Sequence, residues 1–267
     1  MIKSLDIRTG CSGWSYSRWV GPFYPRGTRP SDYLKVYSSV FDTVEIDSSF
    51  YARPGTDIVE KWRDSVPEDF RFTAKMPQMI THDLRLRNST DEAKNFLESM
   101  KVLGEKLAII LIQLPPSLKF NEGFKRLSSL LDALPNEFRY SVEVRDPSWL
   151  VDDTYFMLRE RNVILAWSET PYVMIPPVAT SDTIYIRFVG DRSIREEEFG
   201  RAVVDRTKEV GFWAGKLKEK EDIIRHAYVL SNNHFQGFGP ETVNLFRRTY
   251  GLMPLNWDQK TGQTRLL

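Results

Sequence analysis

The chain has 267 residues, 41% of them hydrophobic and 27% charged, which is ordinary globular composition with enough apolar material for a sizeable core. Lys and Arg number 37 against 36 Asp and Glu, so a net charge of +1 gives no global pull toward nucleic acid or an anionic membrane. One cysteine, Cys11, excludes an internal disulfide, a thiolate zinc site and a dithiol redox pair.

The chain opens on Met1-Ile2-Lys3-Ser4-Leu5-Asp6 without the apolar run of a signal peptide, and a cytoplasmic location is expected. Asp6–Gly13 reads as a strand, and Pro30-Ser31-Asp32 opens a helix ending near Phe41. A strand over Thr43–Ser48 leads to a helix over Thr56–Val66, bounded by Pro54-Gly55 and Pro67. After the strand Arg71–Met76, Ser89 with Glu92 three residues on is a capping-box pattern, opening a helix that runs to Leu103-Gly104. Leu107–Leu114 is a strand; its apolar run, Leu107 to Ile112, is too short to cross a bilayer, so no membrane partner is expected. A helix over Phe124–Leu134, a strand over Tyr140–Arg145, a helix over Asp153–Arg161 and a strand over Val163–Ser168 follow. Glu169–Asp182 is proline-rich and reads as an irregular link. Thr183–Val189 is a strand, a charged helix runs from Thr207 to Ile224, and Ala227–Asn232 is the eighth strand. Pro240 then marks the first turn of a helix leading to Tyr250.

Strands alternating with helices predict a parallel sheet covered by helices. A (β/α)8 barrel needs about 250 residues. Residues 1–267 therefore read as a single TIM-type barrel domain of eight parallel strands, irregular at the link between strands six and seven. An open doubly wound sheet is the alternative.

Successive strand side chains point to opposite faces. Glu45 and Asp47 thus share a face opposite Val44 and Ile46, and Glu143 and Arg145 share a face opposite Val142 and Val144. Lys75 joins Thr73, and Arg187 joins Tyr185, on the polar faces of their strands. If the apolar faces meet the helix layer, the charges point into the barrel and crowd the C-terminal strand ends, where enzymes of this fold carry their sites. Gln113 ends strand four, Asn232 and Asn233 end strand eight, and His82 lies in the loop after strand three. The competing reading is that Glu–Arg and Glu–Lys pairs simply fill the barrel as structural ion pairs.

Aromatic residues collect in strand-end loops: Trp14, Tyr16 and Trp19 after strand one, Tyr51 after strand two, Trp149 after strand five. Trp14 and Tyr51 are the first candidates to stack on a ring of the ligand; hydrophobic plugs under long loops are the alternative. Glycines in Gln236-Gly237-Phe238-Gly239-Pro240, with Gly190-Asp191-Arg192, offer backbone N–H groups for an anion, though glycine before a helix is more often just a turn. The three histidines, His82, His226 and His234, show no metal-binding spacing. No cofactor is required; a divalent ion held by Glu45, Glu143 and His82 is a secondary alternative.

Several long, ungapped stretches resemble the YecE-like family, also known as domain of unknown function 72. They are Gly10-Cys11-Ser12-Gly13-Trp14-Ser15-Tyr16, Thr43 to Tyr51, Lys75-Met76-Pro77 with Ile80-Thr81-His82, Gln113-Leu114-Pro115-Pro116, Val142 to Trp149, Tyr185-Ile186-Arg187 and Asn232-Asn233. The resemblance spans nearly the whole chain and implies a (β/α)8 barrel. It brings no established reaction. Two places depart from the family pattern: Val189 stands where a histidine is expected before Gly190, and Ser168-Glu169 where strand six is expected to end on an aspartate.

The leading functional expectation is an acid–base enzyme acting on a small anionic, phosphate- or carboxylate-bearing, ring-containing substrate. Glu45 and Glu143 are the acid and base candidates, Lys75 a carbonyl-polarising group or nucleophile, and His82 a proton shuttle. Arg145 and Arg187 hold the anionic group, with Trp14, Tyr16, Asp47, Tyr51, Gln113, Trp149, Asn232 and Asn233 shaping the pocket. A metal-dependent phosphodiesterase or repair-type nuclease, with Arg85, Arg87, Arg192 and Arg195 on a nucleic-acid backbone, is the alternative that near-zero net charge disfavours. A non-catalytic small-molecule binding protein is the third reading.

Overall fold

A computed structural model describes residues 5–257. Its strands are β1 (Asp6–Ser12), β2 (Thr43–Ile46), β3 (Arg71–Lys75), β4 (Leu107–Gln113), β5 (Tyr140–Glu143), β6 (Ile164–Leu165), β7 (Trp167–Glu169), β8 (Thr183–Phe188) and β9 (His226–Ser231). Every pairing between them is parallel, in the order β6-β5-β4-β3-β2-β1-β9-β8-β7. The two ends of that order are consecutive in the chain. The predicted sixth strand is broken at Ala166: β6 pairs with β5 while β7 pairs with β8. The barrel is therefore hydrogen-bonded all round except at one seam, which the backbone itself crosses at Ala166.

The helices are α1 (Tyr33–Ser38), α2 (Thr56–Asp64), α3 (Thr90–Lys101), α4 (Phe120–Ala133), α5 (Asp152–Glu160), α6 (Thr207–Lys218), α7 (Asn233–Gln236) and α8 (Gly239–Tyr250). Strand parity divides the apolar residues into two bodies. Val44, Ile46, Ile110, Ile112, Val142, Val144, Ile184 and Ile186 belong to the layer between sheet and helices. Ile109, Leu111, Ile164, Ala166, Tyr185, Tyr228 and Leu230 fill the barrel interior as a separate cluster. Interior packing of side chains from several strands is what makes such a barrel a solid core and not a pore.

Several predicted boundaries shift. Ser89 does occupy the N-cap position of α3, but its side chain caps nothing and its hydroxyl is buried without a hydrogen-bond partner among the described residues. The expected capping box is thus not formed, and α3 starts on packing of its apolar face, including Phe96, Leu97 and Met100. Helix α4 begins four residues earlier than its periodicity suggests, and α6 stops at Lys218, short of Ile224. The short helix α7, capped by Asn232 through its side-chain oxygen on the His234 N–H, carries no sequence periodicity long enough to predict. Among the described residues no helix is long and apolar enough to cross a membrane.

One position in β1 decides how the barrel starts. The Tyr37 hydroxyl of α1 accepts from the Cys11 N–H at 2.7 Å and donates to the Thr43 carbonyl at 2.9 Å, tying β1 to β2 through a helix side chain. A Cβ on Gly10 would stand 1.9 Å from the Thr43 carbonyl oxygen and 2.8 Å from that hydroxyl. Both neighbours are fixed, so neither can give. Gly10→Ala is expected to lower unfolding free energy by about 1–3 kcal/mol, the usual range for forcing a methyl into a packed core. Urea denaturation checks this; a change within about 0.5 kcal/mol would show that the strands separate freely.

Candidate functional site

The barrel floor is built around one guanidinium. Arg187, near the end of β8, is 2% exposed. Its Nε and Nη2 donate to the two oxygens of Glu45 at 2.8 and 2.6 Å, a bidentate pair, and its Nη1 donates to Glu143 Oε2. The Tyr185 hydroxyl gives its proton to Glu45 Oε2, so Thr73 must donate to Tyr185 at 2.9 Å. Ser168 donates to Glu143 Oε2 at 2.9 Å, and Arg145 donates through Nε to Glu143 Oε1 at 2.7 Å and through Nη2 to Gln113 at 2.9 Å. Burial alone would push the Glu143 carboxyl up; Arg187 and Arg145 beside it hold it down at about 2. Burial works against the Arg187 charge as well, and the two carboxylates more than offset it, raising its pKa.

Above this floor lies an open cleft of about 570 Å³ at the C-terminal strand ends. On one wall Lys75 Nζ pairs with Asp47 at 2.8 Å and sits 4.2 Å from the Phe50 ring centre. Burial opposes ionisation of Asp47, but the Lys75 charge and hydrogen bond prevail and lower its pKa. The other side of the Phe50 environment is His82, whose ring meets Phe50 edge-on at 5.0 Å. Partial burial, then the charges of Arg145 and Lys75, push the His82 imidazolium down to about 4, so the ring is neutral at physiological pH. Its Nδ1 lies 2.8 Å from the Thr81 hydroxyl.

The opposite wall comes from loops after β8 and β9. Arg192 lines the cleft in a left-handed conformation, φ 64°, sparsely populated for a side chain of this kind, and makes no ion pair among the described residues. Glu196 and Phe199 also line it, and Tyr172, from the segment after β7, borders the cleft with its ring centre 5.3 Å from the Arg145 guanidinium. His234 donates from Nδ1 to the Ile194 carbonyl at 2.9 Å, a bond that fixes the tautomer and leaves Nε2 as acceptor in the neutral ring.

Of the residues singled out from sequence, Lys75, Asp47, His82, Tyr16, Tyr51, Gln113, Arg145, Arg187 and Asn232 line this one cleft. Glu45 and Glu143 lie beneath it with no exposed surface. Three lie elsewhere. Trp149 is fully buried, donates to the Leu118 carbonyl at 2.7 Å and packs on Phe120. Asn233 is buried and accepts from Trp19 and from the Gly239 N–H. Trp14 packs edge-on against Trp62 at 5.5 Å. In each case a hydrophobic or hydrogen-bonding need of the loop claims the side chain. The alternative metal set fares no better as a ligand cage: the Glu45 and Glu143 oxygens already hold guanidinium groups, and among the described residues no three His, Cys, Asp or Glu side chains converge on a metal-sized point. Arg85 and Arg87 face Glu122, and Arg195 faces Glu198.

Phe50, Gln78, Tyr172, Glu196, Phe199 and His234 also line the cleft and were not singled out from sequence as site residues; Arg192, named there with Gly190 as an anion-gripping loop and among the arginines of the nucleic-acid alternative, lines it too. Phe50 adjoins Tyr51 within a motif and was the most accessible signal; the others sit in loops or, for His234, in the one-turn helix α7, with no periodicity to place them. At the two departures from the family pattern, Val189 lines the cleft, while the inward side chain of β7 is Ser168 and not Glu169. Glu169 instead accepts from the Trp213 indole at 2.6 Å, toward α6.

A family model described as "Protein of unknown function DUF72" matches residues 8–264. The Bacillus subtilis (strain 168) protein YunF is 34% identical over 282 aligned positions, covering 94% of this chain and 99% of that protein. YecE of Escherichia coli (strain K12) is 34% identical over 143 residues, so the match spans 50% of that protein. A DUF72 family protein of Thermotoga maritima superposes with a TM-score of 0.80 at 27% identity, covering 92% of this chain and 99% of its own. One from Enterococcus faecalis superposes at 0.74 with 21% identity, covering 94% and 100%.

Removing Arg187 leaves two buried carboxylates facing each other. Arg187→Met is expected to cost about 3–5 kcal/mol at pH 7. The pH dependence carries the sign. In the wild type the depressed Glu143 pKa stabilises the fold above the unfolded carboxyl value of about 4.3, and that contribution is lost as pH falls through about 2. Without Arg187, protonation relieves the buried charges, so the penalty should shrink as pH drops from 7 toward 4. Urea midpoints across that range check it; a penalty constant with pH would show that the network is not ionic.

Proposed function

This chain belongs to the DUF72 family, and from that premise we propose that its barrel mouth binds a small ring-bearing anion and performs acid–base chemistry on it. The observation that carries the reading is the pair of guanidinium groups still open toward the cleft. Arg145 commits Nε and Nη2 to Glu143 and Gln113, and no hydrogen bond among the described residues engages Nη1. Arg192 stands on the facing loop without an ion-pair partner. Guanidinium N–H groups in a concave site match the oxygens of a phosphate or carboxylate. Phe50, Tyr51, Tyr172 and Phe199 on the same walls suit the faces of a ring.

The roles then divide by exposure. Below the surface Glu45 holds Arg187, and Glu143 holds Arg187 and Arg145; the two carboxylates position these guanidinium groups and carry no proton to the ligand. Proton transfer falls to His82, neutral and able to accept at pH 7, with Lys75 available to polarise a carbonyl oxygen. The near balance of charge around the cleft favours an anion of low charge over a nucleic-acid backbone. In this reading Arg187, Glu45 and Glu143 are the rigid support that a preorganised site needs.

Calorimetric titration with inorganic phosphate and phenyl phosphate tests the binding step. Arg145→Met and Arg192→Met are each expected to weaken phenyl phosphate by roughly tenfold or more, the usual worth of a hydrogen bond to a charged group. Affinities equal to wild type would remove the anion assignment. Separately, the His82 ring should titrate in an NMR experiment with a midpoint near 4, so that it remains neutral from pH 6 to 8. A midpoint at the ordinary value of about 6.5 would show that burial and the neighbouring cations do not depress the ring.

A further inference from the structure

We infer that the ligand of the mouth carries an apolar tail, seated in a second groove that begins where the mouth ends at Tyr172. This rests on the reading of the mouth as an anion site and extends it. The groove has about the same volume as the mouth, 570 Å³, and lies between the segment after β7 and the first half of α6. Tyr172 lines both spaces. On one side it lies against the Arg145 guanidinium, 5.3 Å from its ring centre; on the other it forms the groove wall. A ligand whose head meets Arg145 therefore needs only to pass Tyr172 to reach the groove.

The lining is of a different kind from that of the mouth. Met174 is 87% exposed, Tyr172 49% and Phe212 45%, and all three border the same groove. Single exposed apolar residues are ordinary, but three converging on one concavity leave an apolar surface that water must cover. The floor beneath them is firm: Trp213 is buried and its indole is held by Glu169 at 2.6 Å. The volume falls in the range of small-molecule sites, about 300–1,000 Å³. A stable protein partner needs about 800 Å² on each side, far more than three side chains present. The occupant that fits is an alkyl or arylalkyl chain, joined to the anionic ring bound in the mouth.

Chain-length dependence is the test. Wild-type protein is titrated with inorganic phosphate, phenyl phosphate, and phenyl phosphates bearing ethyl, butyl and hexyl groups at the para position. Each added methylene should tighten binding by about fourfold until the groove is full, the factor expected for burying one methylene. Met174→Glu and Phe212→Glu change exposed side chains, and each should flatten the series to the affinity of phenyl phosphate. A flat series in the wild type with phosphate binding intact overturns the tail groove and leaves the anion reading standing. A series equally steep in both variants overturns it too, because the tail then lies elsewhere. No binding of any of the phosphates defeats the anion reading, and this inference with it. Sedimentation of wild type and both variants closes the remaining route: a dimer that Met174→Glu dissociates would assign the groove to a second copy of the chain, against the proposal.

Discussion

Arg187 between Glu45 and Glu143 is the interaction on which the rest of the barrel top depends. Two carboxylates from β2 and β5 reach one point inside a closed sheet, and neither has water to solvate it. Two such charges without a cation would neutralise or drive the strands apart. With Arg187 from β8 between them, three strands far apart in sequence share one charge network. The cost of desolvating the three ions is offset by five bonds' worth of geometry: a bidentate pair, a second carboxylate contact, and donors from Tyr185 and Ser168.

This arrangement also explains how the cleft obtains its charges. A guanidinium that only filled the floor would use all its donors there. Arg145 uses two of its three nitrogens on Glu143 and Gln113, which fixes its plane and leaves the remaining edge toward the cleft. Lys75 is likewise fixed, by Asp47 and by the face of Phe50. The electrostatic surroundings of His82 follow from the same cations: Arg145 and Lys75 add to burial in keeping the imidazole neutral. Burial is the larger cause, and the cations held in place by the floor and wall carboxylates act in the same direction on this loop residue.

The broken sixth strand has a similar logic. β6 ends its pairing with β5 at Leu165, and β7 begins its pairing with β8 at Trp167. The shift lets Ser168 reach Glu143 inside while Trp167 and Glu169 turn outward to the layer of α6, where Trp213 meets both. The seam thus costs a few sheet hydrogen bonds and places an inward donor against the floor network. It also releases the chain into the irregular link that carries Tyr172 over Arg145.

Alternation along short strands is a local property, and it was enough to name the inward residues. Glu45, Asp47, Lys75, Glu143, Arg145 and Arg187 could be assigned to one face because a β-strand has no other choice than to alternate. The strand–helix order likewise determined a parallel sheet, while its closure into a barrel was read from chain length and the family resemblance. Which of those charges meets solvent is not a local property. Glu45 and Asp47 share a face two residues apart, yet one is sealed under Arg187 and the other borders the cleft, because depth along the barrel axis depends on the register of neighbouring strands. Loop residues were beyond reach for the same reason. Trp149 and Asn233 had the composition of site residues and became plugs and caps, while Tyr172, Phe199 and His234 became walls of the cleft. Their places are set by what each loop packs against after the barrel closes, and no periodicity in the chain encodes that.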